Sequence, residues 1–90
     1  MKFDLQSFAE DALKNQTSNQ LRKGIRSLKK KIALHQNKIE NPAKYCDDWN
    51  LKDERGQNGL IMHWQKEITD SEESIRNRIE ELKERGENYE

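Results

Sequence analysis

Apolar residues recur along the middle of this chain at a helical interval. Leu21, Ile25, Leu28, Ile32, His35 and Ile39 are spaced four, three, four, three and four with polar residues between them, which is the seam pattern of paired helices. Thr17 followed by Gln20 has the form of a capping box, and Asn41-Pro42 has the form of a stop. A helix over about 18–40 follows, roughly 33 Å long.

A second stripe lies further on. Ile61, Trp64, Ile68, Ile75, Ile79 and Leu82 fall within about 40° of one line on a helical wheel, with Ser71 and Glu72 interrupting them. Gly86 marks the end of this stripe, as glycine does at helix C-termini. Gly56 and Gly59 in "RGQNG" predict a hinge or turn, so the second helix is expected over about 60–85, after a short helical turn from Leu51 capped by Asn50. Two helices of similar length joined by a loop fold back on each other. The expected fold is all-α: an antiparallel helical hairpin at 17–86 with a loop at 41–59, followed by a disordered tail at 87–90.

The opening stretch carries an apolar face of its own. Phe3, Leu5, Phe8, Ala9, Ala12 and Leu13 fit one side of a short helix over 1–16. An isolated helix of about 12 residues is marginal in water, so this segment needs a surface. The hairpin itself (a three-helix bundle), a second copy (a dimeric bundle) and another protein are the three candidates. Phe3, Leu5, Phe8 and Leu13 are therefore candidate partner contacts. Tyr45 and Trp49, expected to fold over the loop end of the hairpin, are the next candidates.

Composition narrows the function. Of 90 residues, 31% are hydrophobic and 38% charged, with a mean hydropathy of −1.30, so a single small domain with a thin core is expected rather than an enzyme with a deep pocket. The one cysteine, Cys46, allows no internal disulfide. No apolar run approaches the roughly 20 residues of a membrane helix, and the start does not resemble a secretory signal. An intracellular, cytoplasmic location is expected.

Charge is balanced overall and segregated locally. Residues 18–40 hold seven basic residues against one acidic, whereas residues 70–90 hold eight acidic against four basic. Charge complementarity between the helices sets their register, while apolar burial holds them together. The alternative use of "RKGIRSLKKK" is nucleic-acid contact through Arg22, Lys23, Arg26, Lys29 and Lys30. A further alternative is a small inhibitor, antitoxin or immunity-type protein whose acidic helix covers a basic site on another protein.

Catalytic and metal chemistry find no pattern to stand on. His35 falls on the seam of its helix and His63 off the seam of the other, so no shared metal is expected; His35 is read as a polar layer that sets register. Cys46 in "YCDDWN" has Asp47 and Asp48 beside it, which opposes thiolate formation. "RGQNG" lacks the lysine of a phosphate loop. No catalytic residue, cofactor site or metal site is predicted.

"FDLQSFAED", residues 3–11, resembles the opening of many virion-assembly proteins, capsid and scaffolding proteins among them, of phages that infect Gram-positive bacteria. The match rests on Phe3, Asp4, Leu5, Gln6, Phe8 and Ala9. "GIRSLKKKIALHQNKIENP" and "GLIMHWQKEI" are similar to small helical segments of phage and prophage proteins. The resemblance implies a helical protein of assembly, scaffold-like or modulating the capsid, with a phage capsid or packaging protein as partner and with the virion as a second location. It implies no cofactor.

Overall fold

The computed structural model describes residues 12–88. Residues 12–14 are helical and lead through a short connector into α1, Ser18–Glu40. A single helical turn, α2, covers Pro42–Tyr45, a 3₁₀ turn covers Trp49–Leu51, and α3 covers Glu54–Glu84. Among the described residues there is no strand.

Helix α1 begins where its capping box dictates. The Gln20 N–H donates to Thr17 Oγ1 at 3.1 Å, and the Thr17 N–H donates to Gln20 Oε1 at 2.9 Å, which satisfies two of the amides that a helix start leaves unpaired. It stops at Asn41, before Pro42, which in turn opens α2.

Helix α3 starts earlier than expected. Asp53 is its cap, the carboxylate accepting the Gly56 N–H at 2.8 Å, and the short turn expected from Leu51 under Asn50 is instead the 3₁₀ turn Trp49–Leu51, with Asp48 at its N-cap position. Gly56 and Gly59 lie inside the helix and make no hinge. Each costs about 1 kcal/mol relative to alanine, but Gln57 in the first turn anchors it, its side-chain Nε2 donating to the Trp49 carbonyl at 2.9 Å. The region expected as a loop over 41–59 is thus mostly helical. At the other end Gly86 has φ of 74°, and the Gly86 and Glu87 N–H groups donate to the carbonyls of Lys83 and Leu82, both at 2.9 Å. This pair of bonds is a Schellman motif, and it needs the left-handed residue that glycine supplies.

The two long helices pack antiparallel. Ser18 pairs with Glu87, Gly24 lies against Arg78, and Lys31 pairs with Glu67. Leu21, Ile25 and Leu82 are fully buried at the open end of the hairpin, with Ile75 and Ile79 packed against them. Leu28, Ile32 and Ile68 are half-buried in the seam beyond. Ser71, which interrupts the apolar stripe, is itself buried, whereas Glu72 is exposed. Each buried Leu or Ile contributes about 1.5–3 kcal/mol, so these few side chains carry the hairpin.

Leu13 joins this core at 8% exposure. Of the candidate hosts for the opening segment, the hairpin of the same chain is therefore the one that receives its last turn. Phe3, Leu5 and Phe8 lie outside the described residues. Glu87 and Asn88, expected in a tail, are instead tied to α1: Arg22 Nε donates to the Asn88 carbonyl at 2.9 Å, and Glu87 accepts from Ser18.

Candidate interaction surface

The hairpin has a sealed end, a loop end and two outer edges. At the sealed end Arg85 gathers three elements. Its Nη2 donates to the carbonyls of Leu13 and Lys14, both at 3.2 Å, its Nη1 donates to Ser18 Oγ at 3.2 Å, and its Nε donates to Glu81 Oε1 at 3.1 Å. The planar guanidinium suits such a task, because its donors leave in fixed directions. The Leu13 carbonyl, which also accepts the Gln16 N–H at 3.1 Å, and the Lys14 carbonyl at the end of the opening segment are thereby tied to α3.

The loop end is built on two indoles. Trp64 is buried, and Trp49 stacks on it with ring centroids 6.4 Å apart and planes 20° from parallel, a favourable offset arrangement. Trp49 thus folds over the hairpin as its position predicts. Tyr45 does not follow it inward: it is 37% exposed, with the Lys44 ammonium 5.6 Å from its ring centre. Leu51 is 88% exposed, Met62 67% and Leu34 43%. All four large apolar residues exposed among the described ones belong to the loop half of the molecule. Leu51, Met62 and Leu34 were not singled out by sequence; helical spacing places Leu34 and Met62 off the seams, but gives no sign that an apolar residue there matters.

The polar groups of the loop hold one another. The Cys46 thiol donates to Asp48 Oδ1 at 3.0 Å, and Lys52 Nζ lies 3.5 Å from Asp48 Oδ2. The hydrogen bond to Asp48 raises the thiol above its ordinary range, and it lowers the Asp48 carboxyl, as does Lys52. A thiol held protonated is a poor nucleophile. His35 is half-buried, and its Nδ1 donates to the Lys31 carbonyl at 2.8 Å, a bond within its own helix. His63 is exposed. Among the described residues no three His, Cys, Asp or Glu side chains are grouped to hold a metal ion, and no helix is long and apolar enough to cross a membrane.

The basic residues of α1, the candidates Arg22, Lys23, Arg26, Lys29 and Lys30 together with Lys31, divide by position. Arg22 and Lys31 turn toward the acidic helix: Arg22 lies 3.9 Å from Glu87, and Lys31 lies 3.1 Å from Glu67. Lys31 holds the Glu67 carboxyl below its usual value, chiefly through that hydrogen bond. Lys23, Arg26, Lys29 and Lys30 are exposed. Spacing puts Lys23, Arg26 and Lys30 on the side of α1 opposite Leu21 and Ile25, so the acidic helix does not cover them. Arg78 was also missed: it crosses the seam at Gly24, its Nε is buried without a hydrogen-bond partner, and burial lowers its pKa.

Comparison with protein-family models, with curated proteins and with solved structures found no match to this chain.

Proposed function

We propose that this chain is a non-enzymatic helical docking protein that acts in assembly, as a scaffold-like or capsid-modulating factor of a phage or related mobile element. The observation that carries this reading is the uneven placement of apolar surface. The open end is sealed by Leu13, Leu21, Leu82 and the Arg85 network, while Leu34, Tyr45, Leu51 and Met62 stay exposed in the loop half. Large apolar side chains left exposed along both edges of one half of the molecule, and not in the other, support a contact role for that half. The opening pattern from Phe3 to Ala9 supplies the kind of partner, a phage capsid or packaging protein.

Co-expression with the capsid protein of a Gram-positive phage, followed by sedimentation, tests it. The full chain should co-sediment with the capsid protein, whereas a chain beginning at Ala12, or one carrying Leu51→Asp and Met62→Asp, should remain in the supernatant. Equal behaviour of all three would count against the reading.

Exposure of Lys23, Arg26 and Lys30 favours nucleic-acid contact as a second reading. Phosphate-driven binding is strongest at low salt, so failure to retain a DNA duplex there would remove it.

A further inference from the structure

The two outer edges of the hairpin differ in charge and match in level. Along the outside of α1 run Lys23, Arg26 and Lys30, followed by Leu34, all exposed. Along the outside of α3, opposite Trp64, Ser71 and Leu82 by helical spacing, run Met62, Glu73, Glu80 and Glu84, also exposed, with Asp70 beside them. Arg55, Lys66 and Arg76 share that edge, three basic residues against the four carboxylates of Asp70, Glu73, Glu80 and Glu84.

The antiparallel contacts fix which residues stand level. Ser18 with Glu87, Gly24 with Arg78 and Lys31 with Glu67 place Leu34 near the height of Met62. They place Arg26 and Lys30 on either side of the height of Glu73, and Lys23 near that of Glu80. A sideways shift of the whole hairpin preserves these heights. The basic edge of one copy would then face the acidic edge of the next, with Leu34 beside Met62. The helices brought together by that shift are again antiparallel.

We propose that copies of this chain associate edge to edge, α1 of one against α3 of the next, in an open row. The proposal rests on the assembly reading above and names a second copy as the partner. Unlike surfaces meet, so the contact is heterologous and leaves a free edge at each end of the row. A two-fold dimer, by contrast, would stop at two. The Leu13–Lys14 turn lines a groove with Asn77, Glu80, Glu81 and Glu84, so it flanks the sealed end of the acidic edge.

Light scattering on the full chain over a range of concentrations tests this. At low ionic strength the mass should rise past that of a dimer, and about 0.5 M salt should weaken association by about tenfold or more, because exposed charges are screened there. Lys23→Glu, Arg26→Glu and Lys30→Glu together make both edges acidic; Asp70→Lys, Glu73→Lys and Glu80→Lys together make both basic. Each triple variant alone should be monomeric, and mixing the two should restore growth. Should a triple variant lose its helicity by circular dichroism, the single variant Met62→Asp takes its place and should cut the mass of the wild-type row.

A wild-type chain that stays monomeric at low salt, or growth that ends at a dimer, overturns the proposal. So does a mixture of folded triple variants that remains monomeric, or a monomer whose basic edge retains a DNA duplex instead. None of these results touches the capsid docking reading, which stands or falls on co-sedimentation.

Discussion

The guanidinium of Arg85 donates to the backbone carbonyls of both Leu13 and Lys14, 72 and 71 residues away in sequence. One side chain near the end of the last helix thereby closes the end of the opening segment onto the hairpin. Hydrogen bonds from a charged group contribute about 1.5–3 kcal/mol when they are well placed. Arg85→Ala should therefore destabilise the fold by about 1–3 kcal/mol in urea unfolding. It should also speed proteolytic nicking at 15–17 under native conditions. Unchanged nicking would mean that Leu13 alone holds the segment.

Leu13→Ala separates the two contributions. A buried leucine truncated to alanine costs about 2–5 kcal/mol, and Leu13 is buried against Leu21, Ile25 and Leu82. The cost should fall near the lower end, since the site lies at the rim of the hairpin. Phe3→Ser with Phe8→Ser should change helix content little while abolishing co-sedimentation with the capsid protein.

Trp64→Ala removes a buried ring and the platform for Trp49. A loss of about 3–5 kcal/mol is expected, measured by denaturant unfolding followed by circular dichroism. Trp49→Ala should cost less, since that ring is only half-buried.

Gly24 and Arg78 should show a coupled effect. A β-carbon at Gly24 would stand 2.9 Å from Arg78 Nε, so Gly24→Ala gains up to about 1 kcal/mol of helix propensity only by displacing that side chain. In an Arg78→Ala background the obstacle is gone. The same alanine should then stabilise, giving a non-additive double-mutant cycle; simple additivity would show that Arg78 moves aside freely.

Acid should loosen the hairpin at a defined place. Lys31 lowers the Glu67 carboxyl below its ordinary 4.5. A group whose folded pKa is depressed contributes stability that is fully present above the unfolded value and is lost as pH falls through the folded one. The melting temperature should hold from pH 7 to about 5 and fall below about 4.5, with a shallower fall in Glu67→Gln. An equal slope in wild type and variant would place the acid response elsewhere.

Much of this architecture was legible in the sequence where local rules and burial agree. Thr17, Gln20 and Asn41 delimit α1 as read, and Gly86 ends α3 as read. The start of α3 was misplaced because Gly56 and Gly59 weigh as breakers in isolation, whereas Asp53, Gln57 and the Trp49–Trp64 stack make the first turns helical. Leu13 was marked as a contact residue, but whether its host was the same chain depended on Arg85, whose reach across more than 70 residues no local pattern encodes. The basic run was visible as charge; that Lys23, Arg26 and Lys30 face outward while Arg22 and Lys31 face the acidic helix became clear only once α3 was in place.

The pairing of Trp49 with Trp64 has a consequence for anyone watching this molecule. These are its two tryptophans, and both sit at one extremity, so all indole emission originates there. Fluorescence will follow the melting of that extremity and stay silent about the Leu13–Arg85 end, while far-ultraviolet dichroism sums over the whole rod. A gap between the two curves would measure how far the ends unzip separately.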